Sequence, residues 1–113
     1  AKLGAEVIFY PSAATVLDRA EGEKCLSDWK KLTQGTAFSQ TSYVVCCNQP
    51  ASAGSIYFGG SHVVDPNGDL ILELPLFEES VMSVDLDLAY LRNIREKRPL
   101  LKNERFEVYK KYI

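Results

Sequence analysis

The sequence lacks the patterns that mark several classes of protein. It has one histidine (His62), one tryptophan and three cysteines, with no Cys-x-x-Cys or His-x-x-x-His pair. That absence argues against a structural zinc site. No run reaches the ~18 apolar residues that span a membrane, and neither a G-x-x-x-x-G-K-S/T loop nor a G-x-S-x-G turn is present. We therefore expect no metal, no P-loop nucleotide site and no membrane partner.

What is present is the composition of an ordinary soluble globular protein, with 46% apolar and 25% charged residues. A length of 113 residues is enough for one small domain, 1–113. An odd number of cysteines favours free thiols and a reducing, cytoplasmic location. The sequence starts with Ala-Lys-Leu-Gly rather than Met, from which we expect a processed or partial polypeptide.

The net charge of −2 hides an uneven distribution. From position 90 onward there are eight Lys/Arg against three Glu. Such a basic end occurs in nucleic-acid-binding proteins, and also as the solvated face of a helix with a tail that docks on its own or a neighbouring subunit. Because no stacking aromatics or recognition motif accompany the charge, we favour the second interpretation and expect no nucleic-acid partner.

Hydrophobic periodicity predicts an α/β layer arrangement with a mixed sheet. Pro11 is expected to end the first strand, Gly68 to supply the positive φ of a hairpin turn, and Asp87 to cap the last helix, which Pro99 stops. The predicted elements, in order, are strand 6–10, helix 23–41, strands 42–48, 59–65, 69–77 and 79–87, and helix 87–98.

Cys46, Cys47, Asn48 and His62 are the residues that suggest an active site. Neighbouring strand residues point to opposite faces, so Cys46 and Cys47 cannot share one metal ion. A Cys–His–Asn nucleophile is the alternative, since a thiolate needs a base and an orienting group. The cysteines lie in an apolar run, however, where thiols are buried and inert. We favour sheet interior, with the same interpretation for Cys25, and keep a Cys46–His62 enzyme as the alternative.

Five segments, in order along the chain, carry a resemblance to a known family. They are "LGAEVIFYPSA" (3–13), the helix from Trp29 to "TAFSQ" (36–40), "YVVCCN" (43–48), "FGGSHVVDPNG" (58–68) and the segment 85–99 with its Arg-Phe…Tyr tail. Together they resemble the C-terminal half of the nitrilase superfamily, the carbon–nitrogen hydrolases. The match covers nearly the whole chain.

The resemblance implies that the complete protein is a four-layer α-β-β-α sandwich. It also implies a Glu–Lys–Cys triad that hydrolyses a small non-peptide amide, carbamoyl compound or nitrile through a cysteine thioester, without a metal or organic cofactor. The family's triad residues lie upstream of the part matched here. The chain alone is therefore expected to be inactive and to leave one sheet face uncovered. A non-catalytic subunit or dimerisation module derived from a hydrolase half is the alternative.

The resemblance also implies roles for two groups of residues. Loops at the strand ends line the family's substrate pocket, and association involves the long helix and the C-terminal tail. We therefore expect a homo-oligomer and a missing N-terminal half or companion chain, with a small-molecule substrate in the complete enzyme. The pocket-lining residues expected are Ser12, Ala13, Ala14, Gln49, Pro50, Tyr57 and Phe58. The interface residues expected are Trp29, Leu100, Phe106 and Tyr109.

Overall fold

A computed structural model of the chain describes residues 1–50 and 54–113. It confirms a mixed α/β fold with a mixed sheet and helices. The strands are β1 (Val7–Ser12), β2 (Thr15–Val16), β3 (Tyr43–Asn48), β4 (Ile56–Tyr57), β5 (His62–Val64) and β6 (Leu70–Glu73). The α-helices are α1 (Gly22–Gln40), α2 (Leu88–Lys97) and α3 (Phe106–Tyr109), with 3-10 turns at Arg19–Glu21 and Lys110–Tyr112.

The main sheet has the strand order β1-β3-β5-β6. β1 and β3 are parallel, as expected for two strands joined through a helix, and the other pairs are antiparallel. The β5–β6 hairpin is confirmed, and Gly68 takes a φ of +85° in its turn. The Asp65 carboxylate accepts hydrogen bonds from the amides of Asn67 and Asp69, at 2.9 and 3.0 Å, and holds the turn closed.

α1 covers one face of this sheet. Ala37 of the helix packs on Val44, Cys46 and Val64, and all four are fully buried. The helix ends at Gln40, and its cap residue Thr41 takes a left-handed φ of +45°. The Arg95 guanidinium of α2 donates a 2.9 Å hydrogen bond to the Thr41 carbonyl. The predicted helices are thus confirmed, and the Asp87 cap with them, since its carboxylate accepts from the Tyr90 amide at 3.0 Å.

The opposite face of the sheet carries a row of apolar side chains and is only partly covered, since Val63 in its middle is 5% exposed. Phe9, Val45, Val63 and Leu72 are register partners across the four strands and form what we call the open face. Phe9 is 67% exposed. Residues 82–86 cross part of this face and leave a groove of about 300 Å³. The sequence predicted one uncovered sheet face, as in half of a two-sheet sandwich, and the structure leaves the Phe9 end of this face exposed.

The predicted strand at 79–87 is wrong. In the described part of the chain these residues belong to no strand, and Val81 is 95% exposed. The segment crosses the open face instead of running beside β6, so its backbone is not paired with a neighbouring strand. Its alternation of apolar and polar residues is nevertheless typical of a strand. An extended segment that lies on a sheet also has one side towards apolar side chains and the other towards water.

Two smaller predictions about β1 and its neighbours also need correction. Pro11 does not end β1, which continues to Ser12. Because β1 is an edge strand, a residue without an N–H group costs it no ladder hydrogen bond on its outer side. Residues 11–23, which the sequence predicts as a loop of small and polar residues between the first strand and the helix, contain β2 and a 3-10 turn. Within residues 1–50 and 54–113, the chain has no helix that is both long and apolar enough to span a membrane.

Candidate functional site

The carboxyl ends of the two parallel strands form the candidate functional site. Ser12 at the end of β1 and Asn48 at the end of β3 are register partners. In α/β sheets, ligands bind beyond the carboxyl ends of parallel strands, where loops can approach them without blocking the sheet. The loops that follow here are residues 12–16, 49–50 and 54–60, which we call the loop edge.

Main-chain pairing joins the two halves of the loop edge. β2 and β4 form a small antiparallel sheet in which Thr15 pairs with Tyr57 and Val16 with Ile56. Next to it, the Phe58 amide donates to the Ala14 carbonyl at 3.4 Å. The loop after β1 and the loop after β3 are therefore one unit rather than two independent loops.

The carboxamide of Asn48 connects this unit to the main sheet. Its Oδ1 accepts a hydrogen bond from the Ala14 amide at 2.8 Å. Its Nδ2 donates to the carbonyls of Ala14 and Gly59, at 3.2 and 3.1 Å. Asn48 is 6% exposed, so these three bonds form away from water. Sequence reasoning considered Asn48 only as a partner for the cysteines and missed its contacts with the loop edge.

Gly59 and Gly60 give the chain a sharp bend at the loop edge. Both have a φ of +66°, which favours glycine. At Gly60 a Cβ atom would lie 2.7 Å from Leu26 Cδ1, so a side chain there would also have to displace the buried Leu26 side chain. The Gly59 amide donates to the Gln49 carbonyl at 3.0 Å and the Gly60 amide to the Pro75 carbonyl at 3.2 Å. The bend is therefore fixed by main-chain hydrogen bonds to Gln49 on one side and to Pro75 on the other.

His62 is a buried histidine with both ring nitrogens hydrogen-bonded. Nδ1 lies 2.8 Å from the Gly60 carbonyl and Nε2 lies 2.8 Å from the Thr33 hydroxyl. Because a carbonyl can only accept, Nδ1 carries the proton and Nε2 accepts from Thr33 in the neutral ring. The ring also makes an edge contact with Trp29, at 4.8 Å between centroids. Burial lowers the pKa of His62 from its ordinary value.

Cys46 and His62 are register partners, yet they lack the properties of a catalytic pair. Burial raises the pKa of the Cys46 thiol to about 12, and the residue is 1% exposed. A thiol of that kind is protonated and shielded near neutral pH. The prediction of sheet interior holds for Cys46, but Cys47 is exposed because it points to the open face, which residues 82–86 cover only in part. Among residues 1–50 and 54–113, no group of three or more potential ligands could hold a metal ion.

The lowered pKa of His62 predicts that acid weakens the fold. Above the unfolded-state pKa of about 6.5 the ring is neutral in both states and imposes no penalty. As the pH falls below that value, the unfolded state binds the proton more readily, so stability declines until the folded-state pKa is passed. We expect urea midpoints at pH 7.5 and 5.0 to differ more for wild type than for His62→Gln. An equal fall in both proteins would contradict this assignment.

The residues predicted to line a pocket lie at or beneath the loop edge. Ala13 and Gln49 are exposed at the loop edge. The residues that are half-buried there are Ser12, Ala14, Pro50 and Tyr57. Phe58 is 3% exposed and packs under the loop edge, with its ring 5.8 Å from that of Trp29. Whether they contact a substrate stays a prediction.

The residues predicted at an oligomer interface lie in two environments. Leu100, Phe106 and Tyr109 are exposed on the tail. Trp29 is half-buried, and its ring contacts Phe58 and His62 within the chain. The tail side chains therefore remain available to a partner, and the indole already has neighbours in its own subunit.

Residues 1–96 match the model of a protein family described as carbon–nitrogen hydrolase. The chain belongs to the carbon–nitrogen hydrolase family. It is 30% identical over 111 residues to the omega-amidase NIT2 of Danio rerio, covering 96% of this chain and 38% of that protein. It is 32% identical over 111 residues to the omega-amidase NIT3 of Saccharomyces cerevisiae, covering 96% of this chain and 36% of that protein.

Solved structures of family members have the same fold. A carbon–nitrogen hydrolase from Helicobacter pylori G27 superposes with a TM-score of 0.84 at 24% identity, over 96% of this chain and 41% of that chain. The structural neighbours are nitrilase-fold hydrolases, which agrees with the predicted fold class. The chain spans 36–40% of the length of the curated relatives it matches.

Proposed function

We propose that this chain is the C-terminal portion of a carbon–nitrogen hydrolase that acts on a small non-peptide amide, carbamoyl compound or nitrile. Family membership over residues 1–96 is the observation that carries the hydrolase class. The order of the five motifs supports a C-terminal position, because the resemblance puts the "LGA" strand after the nucleophile. Coverage of under two fifths of the relatives is consistent with a longer polypeptide or a companion chain.

The chemistry proposed is that of the family's Glu–Lys–Cys triad, which lies outside this chain. The glutamate takes the thiol proton as the cysteine sulfur attacks the amide carbonyl carbon, and the lysine stabilises the developing oxyanion. The C–N bond then breaks as the amine leaves with that proton from the glutamic acid, and a thioester remains. Water that the glutamate deprotonates then hydrolyses the thioester to the acid and the free thiol. Amides are the substrate class we favour, since relatives that match this chain are named omega-amidases.

The contribution of this chain is one wall of the pocket and one of the two sheets. The loop edge would present Ser12, Ala13, Ala14, Gln49 and Pro50 to the substrate. The open face would pack against the second sheet, which explains a 67% exposed Phe9 on a sheet surface. Burial of several hundred Å² at ~25 cal/mol per Å² is worth on the order of 10 kcal/mol, comparable with the stability of a whole domain.

We further propose a homo-oligomer of the complete enzyme in the cytoplasm. The exposed apolar side chains of Leu100, Phe106 and Tyr109 support association through the tail. Three cysteines without a disulfide support a reducing compartment. A non-catalytic subunit built from a hydrolase half is the second candidate. Cys46, the register partner of His62, is 1% exposed, and burial raises the pKa of its thiol to about 12, so it is shielded and protonated near neutral pH.

The 113-residue chain is expected to show no turnover, whereas the longer polypeptide that contains it is expected to be active. We would measure ammonia release from a small ω-amide, an N-carbamoyl compound and a nitrile, with both proteins at equal concentration. Cys25→Ala and Cys47→Ala are expected to leave the activity of the longer protein within about twofold, because its nucleophile lies elsewhere. Turnover by the 113-residue chain that disappears in Cys46→Ala would contradict the proposal.

A further inference from the structure

We propose that Asn48 is a positioning residue for the substrate pocket. Its side chain holds the loop after β1 against the bend at Gly59. This inference rests on the proposed function, because it assigns the loop edge to the pocket of a carbon–nitrogen hydrolase. The observation that carries it is the set of three hydrogen bonds from one buried carboxamide to the main chain of Ala14 and Gly59.

The bonds to Ala14 hold both of its main-chain polar groups. Asn48 Oδ1 accepts from the Ala14 amide and Nδ2 donates to the Ala14 carbonyl, so one side chain takes the place of a neighbouring strand. β2 and β4 pair directly after this point. The carboxamide therefore extends the pairing of the small sheet to Ala14, the residue before β2, and joins that residue to the end of β3. Ala14 cannot move without breaking these bonds.

The third bond connects Ala14 to the bend on the other side of the loop edge. Asn48 Nδ2 also donates to the Gly59 carbonyl at 3.1 Å. His62 Nδ1 binds the next carbonyl, that of Gly60. Two consecutive carbonyls of a bend with positive φ are thus held by two buried side chains, one from β3 and one from β5. The Asn48 amide group therefore fixes Ala14 relative to the bend, next to the main-chain pairing of β2 with β4.

No other side chain of this size could make the same contacts. An aspartate at position 48 would be acceptor-only when ionised, and its oxygens would face the carbonyls of Ala14 and Gly59. An apolar residue would leave the Ala14 amide without a partner. In either case the loop edge is expected to shift, and a displacement of about 1 Å in a substrate-positioning group can cost on the order of 100-fold in rate.

The main chain of Asn48 is anchored independently of its side chain. Its amide donates to the Ser61 hydroxyl at 2.9 Å, and that hydroxyl donates to the Asn48 carbonyl at 3.2 Å. The register of β3 with β1 and β5 is also a main-chain feature. Substitution of the side chain should therefore release the loop edge while the sheet remains formed.

The test compares Asn48→Asp with wild type in the longer polypeptide, using a primary ω-amide as substrate. At about pH 8 we expect kcat/KM to fall at least ~30-fold, mainly through a higher KM. The rate at which iodoacetamide inactivates the enzyme should stay within about threefold, since the nucleophile is on another part of the protein. The deficit should shrink as the pH falls towards about 5.5, because the carboxyl group introduced at position 48 regains one donor when it is protonated. Asn93→Asp, an exposed site on α2, is the charge-matched control and should match wild type.

The outcomes separate this inference from the proposed function. If wild type hydrolyses none of the three substrate classes, the proposed function fails. If wild type is active and Asn48→Asp has a KM within twofold of it, or loses thermal stability without a change in KM, the positioning role is overturned. If Asn48→Asp does not fold, Asn48→Ser decides by the same criterion: a KM raised at least tenfold supports the role, and a KM within twofold overturns it.

Discussion

Phe9→Asp is expected to leave the 113-residue chain as stable as wild type and to prevent folding of the longer polypeptide. In the chain by itself, Phe9 is 67% exposed, so its replacement removes few contacts. In the complete enzyme the same position would lie between two sheets. Loss of a buried phenylalanine and burial of an unpaired carboxylate together cost on the order of 5 kcal/mol or more. That cost is comparable with the whole stability of a typical domain.

The measurement is the denaturation midpoint of each variant in the short and the long protein, together with amidase activity of the long one. Leu17→Asp is the matched control, since Leu17 is 89% exposed on a bend that lies off the main sheet. It should be tolerated in both proteins. A Phe9→Asp variant that keeps full activity in the longer polypeptide would mean that nothing covers the open face at this strand.

The thiols of Cys46 and Cys47 are expected to differ by at least ~100-fold in their rate of alkylation at about pH 7.5. With a pKa of about 12, the Cys46 thiol is ionised to roughly one part in 10⁴ to 10⁵. It is also covered by α1, so reagent must wait for the structure to open. Cys47 points to the open face and is exposed. In the longer polypeptide Cys47 should become protected as well.

Iodoacetamide labelling followed by mass spectrometry would measure both rates in a Cys25→Ala background. Cys47→Ala should remove the fast phase and leave the slow one, and Cys46→Ala should do the reverse. A fast-reacting Cys46 would support the alternative of a Cys46–His62 enzyme. Equal exposure of Cys47 in the short and long proteins would contradict a covering second sheet.

The elements that could be predicted from sequence are those whose own residues determine their structure. α1 has a continuous apolar stripe, and its predicted bounds agree with the structure to within a residue at each end. α2 has a cap residue and a stopping proline, and both act as predicted. The β5–β6 hairpin has a glycine at the position that requires a positive φ. In each case the residues that predict the element lie within it or a few positions from its ends.

The predictions that failed depend on what lies beside an element. Residues 79–87 alternate like a strand, but strand formation needs pairing with a neighbouring strand. In the described part of the chain the segment crosses the open face instead of lying beside the edge of β6. The apolar run around Cys47 predicted burial on both faces, whereas α1 covers one face of the described sheet. The role of Asn48 was hidden for a related reason, because its partner Ala14 is 34 residues away in sequence.

The Asn48 contacts also show which signal could have indicated the site. A polar residue that ends a buried strand must satisfy its hydrogen bonds locally, and the carboxyl end of a parallel strand is where loops converge. The sequence has asparagine after "YVVCC" and small residues after "FYPS". Both lie at ends of strands that were predicted. Parallel pairing of these strands would have brought the two loops together.

Intact mass spectrometry of the natural polypeptide, with fragmentation from both ends, tests the central claim most directly. We predict a mass about two and a half times the 12.6 kDa of this chain, with these residues near the C-terminus and a cysteine-bearing turn before the "LGA" segment. A species of 12.6 kDa that hydrolyses amides without a second chain would contradict the claim. So would a longer species in which these residues form the N-terminal end.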